Sequence, residues 1–137
     1  MAISVMVGDN VFPLGSAQFV HFFFSTISFY CEPDGMGTRL TNLTGTLCDG
    51  ELPWRQSGQA LLELKYAHAA LMTRQATELI WDVDNLQAAP PWDLNDISPK
   101  RASLGHYFTT AEGVTLYHCF SRALHLSVQQ KIPVWLE

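Results

Sequence analysis

His118, Cys119 and His125 are the side chains in this sequence whose types and closeness most invite a chemical reading. The step from His118 to His125 is seven residues, which sets both imidazoles on one helix face about two turns apart. Two helical ligands of one metal ion sit three or four residues apart, so this spacing leaves solvated or packed histidines as the simpler account. Cys31, Cys48 and Cys119 are an odd number of thiols with no C-x-x-C pair, which suggests neither a disulfide framework nor a zinc site. Reduced thiols fit a cytoplasmic protein. A cysteine nucleophile would need a histidine base from another element, and no local signature marks any of the three for that role. No pattern calls for a cofactor.

The carboxylates form the other constellation. Between Gln75 and Pro99 lie Glu78, Asp82, Asp84, Asp93 and Asp96, with no Lys or Arg among them. A calcium loop sets oxygen ligands at close, regular intervals around a glycine, whereas Pro90 and Pro91 occupy the middle of this run. Two readings remain. The segment is an ordinary solvated loop, or it is an interface in which the acids steer a basic partner and Trp81 and Trp92 anchor it.

Composition bounds the rest. A chain of 137 residues fits one domain, 1–137, which buries roughly two thirds of its unfolded surface. With 47% apolar and 15% charged residues, the chain either fills a generous core or keeps apolar surface for a partner. The net charge of −5 and the scatter of eight Lys and Arg argue against nucleic-acid binding and match a basic partner better. Met1 to Asn10 lacks the basic start of a secretory signal. The most apolar run, Phe19 to Tyr30, is too short and too polar to span a membrane.

Hydrophobic periodicity then lays out the elements. Ile3, Val5 and Val7 alternate as a first strand ended by Gly8-Asp9-Asn10. Ser16 caps a helix to about Phe29 with Phe19, Val20, Phe23, Phe24, Ile27 and Tyr30 inward, and Pro33 to Gly37 break it. Leu40 to Leu47 reads as a second strand, with Gly45 marking a bulge, and Cys48-Asp49-Gly50-Glu51 as a turn. Pro53 opens a helix carrying Leu61, Leu62, Leu64, Ala67, His68, Leu71 and Met72, ending near Gln75. A short strand at 79–83 and a short helix at 99–104 follow. Val114, Leu116, Tyr117, Phe120, Ala123, Leu124 and Val128 make the apolar stripe of a long helix capped by Thr109 or Thr110, with Glu112 in its first turn and Lys131 past its last. Ile132, Val134, Trp135 and Leu136 close the chain as a strand, internal or near the edge of a sheet. The fold class this predicts is α+β, a small mixed sheet against about three long helices.

In this order the chain resembles the small α/β immunity proteins of bacterial polymorphic-toxin systems, including those of contact-dependent growth inhibition. Cys48-Asp49-Gly50-Glu51, then Pro53 and a long helix, is similar to that family's central turn, although Leu52 stands where the family has an aromatic and Trp54 follows. Ser103 to Phe108, then Ala111-Glu112-Gly113, a long helix and Ile132-Pro133-Val134, is similar to its C-terminal signature. The resemblance implies that Cys48, Asp49, Gly50, Glu51, Tyr107, Phe108 and Gly113 maintain the fold. It also implies a cytoplasmic, non-catalytic protein that binds the C-terminal domain of a cognate toxin, a basic domain if the toxin is a nuclease. On that footing Glu78, Trp81, Asp82, Asp84, Trp92, Asp93 and Asp96 become the expected contact surface. The alternatives are a small-ligand or regulatory module using the aromatic residues of the first helix, and an enzyme relying on His106, His118 or Cys119.

Overall fold

A computed structural model of the chain describes residues 2–74, 103–110 and 112–137. The strand expected at 79–83 and residues 99–102 of the helix expected at 99–104 therefore lie outside the described residues, as do Glu78, Trp81, Asp82, Asp84, Trp92, Asp93 and Asp96. The sheet has four strands, β1 (Ala2–Val7), β2 (Asn10–Ser16), β3 (Glu51–Leu52) and β4 (Val134–Leu136), in the order β2-β1-β4-β3. Every one of these pairings is antiparallel, so the α+β class holds while the expected mixed sheet is corrected to an antiparallel one among the described residues. Of the two places expected for the final strand, internal or near the edge, it takes the internal one, seated between β1 and β3.

Of three long helices, α1 (Ala17–Cys31) and α4 (Leu116–Gln130) pack against the sheet and α2 (Trp54–Met72) packs against those two, with a single turn, α3 (Leu104–Tyr107), between α2 and α4 in the chain. Ser16 caps α1 as its sequence predicts, its hydroxyl accepting from the Phe19 amide at 3.1 Å. Three aromatic rings join α1 to the C-terminal part of the chain: Phe23 stacks on Phe120 at 5.6 Å, and Phe108 meets Phe23 edge-on at 5.2 Å. Ser57 of α2 and Ser127 of α4 are both buried, and their hydroxyls lie 2.7 Å apart. The Ser127 hydroxyl also donates to the Ile132 carbonyl at 2.6 Å, which fixes the turn leading into β4.

Four expectations are corrected. A second strand, β2, which the sequence reading did not include, pairs with β1 through the hairpin at Gly8-Asp9. The strand expected at Leu40 to Leu47 is a π-helix, Thr41–Thr46, followed by a 3-10 turn, Leu47–Asp49. The last helix starts later than its stripe suggests: Thr115 is the cap, accepting from the His118 amide at 3.2 Å, and Glu112 precedes the helix. Thr110 instead closes the turn before it, accepting from Gly113 and donating to Val114 through its backbone. Lastly, Leu62 and Val128, counted in their apolar stripes, are exposed.

Candidate functional site

The described residues build three features that bear on function: a pair of buried carboxylates, an apolar cleft, and a sheet face that no described helix covers. The carboxylates explain the failed strand. Glu32, 3% exposed just beyond α1, accepts from the amides of Arg39 at 3.0 Å and Leu40 at 2.9 Å. Its other oxygen accepts from the Thr44 hydroxyl at 2.6 Å. Glu63, on the inward side of α2, accepts from the amides of Asn42 and Leu43 at 3.0 Å and from the Asn42 side chain at 2.9 Å. Four consecutive-region amides that a strand would offer to a neighbour are thus taken by acids at a helix start, where negative charge is favoured. Gly37 lies against Gly45 and turns at φ 84°, a backbone conformation that other residues rarely adopt.

Burial works to raise the Glu32 pKa, but the hydrogen bonds from Thr44, Leu40, Arg39 and Gly37 outweigh it and hold the carboxyl below its ordinary value. Sequence reasoning singled out neither acid. Glu63 had a readable signal, since it lies three residues from Ala60 and four from Ala67 on the buried stripe of α2.

The cleft, open and about 260 Å³ in volume, is lined by Ile3, Val20, His21, Phe24, Cys48 and Leu136 among others. It is smaller than the ~300 Å³ at which sites for drug-sized ligands begin, and suits a single side chain or a small fragment. The Cys48 thiol donates to the Leu43 carbonyl at 3.6 Å. Burial, then the charges of Asp49 and Glu32, push this thiol up to about 12. Cys31 and Cys119 are also raised, in both cases chiefly by burial. All three thiols stay protonated at neutral pH, so the cysteine next to His118 offers no thiolate nucleophile.

Of the remaining sequence candidates, Asp49 and Glu51 are exposed around Gly50, whose φ of 117° makes the turn. Gly113 turns at φ 86°. Tyr107 and Phe108 are buried, and Phe108 packs against Phe19 and Phe23 of α1 rather than only beneath the last helix. His118 and His125 are exposed, and the His106 side chain lies outside the described residues. Among the described residues no group of three or more His, Cys, Asp or Glu is placed to hold a metal ion. No described helix is long and apolar enough to cross a membrane.

The third feature is the side of the sheet away from the helices. Val11, Met6, Trp135 and Glu51 stand in one row across β2, β1, β4 and β3, each directly opposite the next. Trp135 is 43% exposed and Val11 54%.

Compared with known proteins, residues 5–136 match the family model described as Immunity protein 70. Neither the curated proteins nor the solved structures give a match.

Proposed function

The chain belongs to the Immunity protein 70 family, and from that membership we propose that it binds and neutralises the toxin domain of a cognate polymorphic-toxin effector. An immunity protein has a non-catalytic role. The match over nearly the whole chain is the observation that carries the reading.

In this proposal the chain acts in the cytoplasm of the toxin-producing cell and blocks the toxin's active site or its access to substrate. Contact-dependent growth inhibition is one system in which such a protein works. A nuclease toxin has a basic cleft for phosphate, and an acidic inhibitor answers that same field, speeding encounter and adding charge-assisted hydrogen bonds. Glu78, Trp81, Asp82, Asp84, Trp92, Asp93 and Asp96 are the proposed contact residues, supported by the absence of Lys and Arg among them in sequence.

The test is co-expression with the toxin domain encoded immediately upstream. Cells carrying both are expected to survive, and cells carrying the toxin alone to die. Reversing the charge of Asp82, Asp84, Asp93 and Asp96 together is expected to slow association about tenfold or more at low salt. Death despite co-expression sinks the immunity reading for that toxin, whereas unchanged association kinetics sink the acidic-segment assignment alone.

A second reading has the cleft behind it. Ala17, Val20, His21 and Phe24 of α1 line it, which supports a module that takes a small apolar ligand. A rise in melting temperature with small apolar metabolites, in the absence of any protein partner, would favour that reading.

A further inference from the structure

An antiparallel sheet with helices on one side ordinarily turns polar side chains to water on the other. Here the helix-facing positions follow that rule, with Val5, Val7, Leu52 and Val134 fully buried. The opposite positions break it. Along the register Val11↔Met6↔Trp135↔Glu51, three of four residues are apolar, and the next row, Pro13↔Ser4, adds a proline. Trp135 sits at the centre of this row, on an internal strand, still 43% exposed. A flat apolar strip around a half-exposed tryptophan is the composition of an interface centre rather than of a water-facing sheet.

Charge narrows the partner. The four strands carry no Lys or Arg, while Glu51 stands at one end of the strip and Glu137, bonded to Ser4 through both backbone groups at 2.8 and 3.0 Å, stands beside Trp135. A second copy of the chain would bring the same carboxylates with no cation from the strands to answer them. A basic surface answers both.

Geometry also favours the face over the edge. The Ser4 amide and carbonyl point to Glu137, just past β4, so the partner residue of Ser4 on the other side, Pro13, turns its backbone outward along the β2 edge. Proline has no N–H to offer there, and the opposite edge strand, β3, has two residues only.

We propose that the sheet face centred on Trp135, which no described helix covers, with Met6 and Val11 beside it and Glu51 and Glu137 at its margin, is a docking surface for a basic protein. Resting on the reading above, that protein is the toxin domain.

The experiment uses the full chain and the purified, catalytically disabled toxin domain encoded upstream. Hydroxyl-radical footprinting of the wild-type chain, free and in complex, is expected to show slower oxidation of Met6 and Trp135 in the complex. Trp135→Ala, which removes no core atom, is expected to weaken binding about 30-fold or more. Glu51→Lys is expected to slow association several-fold at low salt and little at high salt.

If the wild type binds and protects while Met6 and Trp135 oxidise at their free rates, the docking surface is wrong and the immunity reading stands. If Trp135→Ala fails to fold, the wild-type footprint decides alone. Should the wild type neither bind nor protect, both readings fall together. Protection of the strip in the chain by itself, with a dimer in sedimentation, assigns the face to a second copy and overturns the proposal.

Discussion

Glu32 follows α1 at its C-terminal end, where a negative charge opposes the helix dipole, and that misfit is the sign that its carboxylate serves another element. It holds the Arg39 and Leu40 amides and the Thr44 hydroxyl. Because its folded pKa lies below the ordinary 4.5, the unfolded chain takes up the proton first as pH falls. The stabilisation is therefore complete above the unfolded value and is lost as pH falls through the folded one. Glu32→Gln turns one acceptor into a donor facing donors, and is expected to cost about 1–3 kcal/mol at pH 7. Denaturant titrations from pH 7 downward should show the wild type losing stability below pH 4.5 while the variant stays flatter, so the two curves converge. Ser28 is the converse case: its buried hydroxyl has no hydrogen-bond partner. Ser28→Ala is expected to raise stability by up to about 1 kcal/mol in the same titration, and a loss would show that the hydroxyl is satisfied. Neither role was legible from local sequence, because the donors of Glu32 lie seven to twelve residues away in a segment that reads as strand.

Elements whose signals are local were legible. The Ser16 cap, the alternation of β1, the break after α1, the long α2 and the apolar final strand all follow from side chains acting on their own neighbourhoods. The Thr- and Leu-rich stretch at 40–47 favours a strand by propensity, and tertiary hydrogen bonds to two distant acids overrode it. The strand β2 was hidden by the opposite error, since Pro13 and Gly15 break a central strand yet are tolerated on an edge beside a register shift at Ile3/Ser4. The start of α4 is a matter of which threonine caps. Thr115→Ala is expected to cost about 1 kcal/mol and to lower helicity at the start of α4. Amide exchange at Leu116 to His118 checks it, and unchanged protection there would return the cap to the earlier threonines.

At the scale of the whole molecule, the sheet depends on residues far apart in the chain. β4 pairs Val5 with Leu136 and Leu52 with Val134, so among the described strands it alone connects the N-terminal hairpin to β3. A chain ending after Ile132 is expected to lose its cooperative thermal transition, measured by calorimetry, and a retained sharp transition would show that the helices suffice. The class of fold was readable from element order, and the proposed sheet-face surface was not: Trp135 reads as one more apolar residue of a short strand until pairing shows which side of the sheet it takes. The placement of β4 also has a temporal side. While the polypeptide is being synthesised, β1 cannot be joined to β3 through the sheet until residues 134–136 have left the ribosomal tunnel. A nascent chain or proteolytic fragment that stops short of residue 134 therefore lacks Trp135 and the sheet face proposed around it.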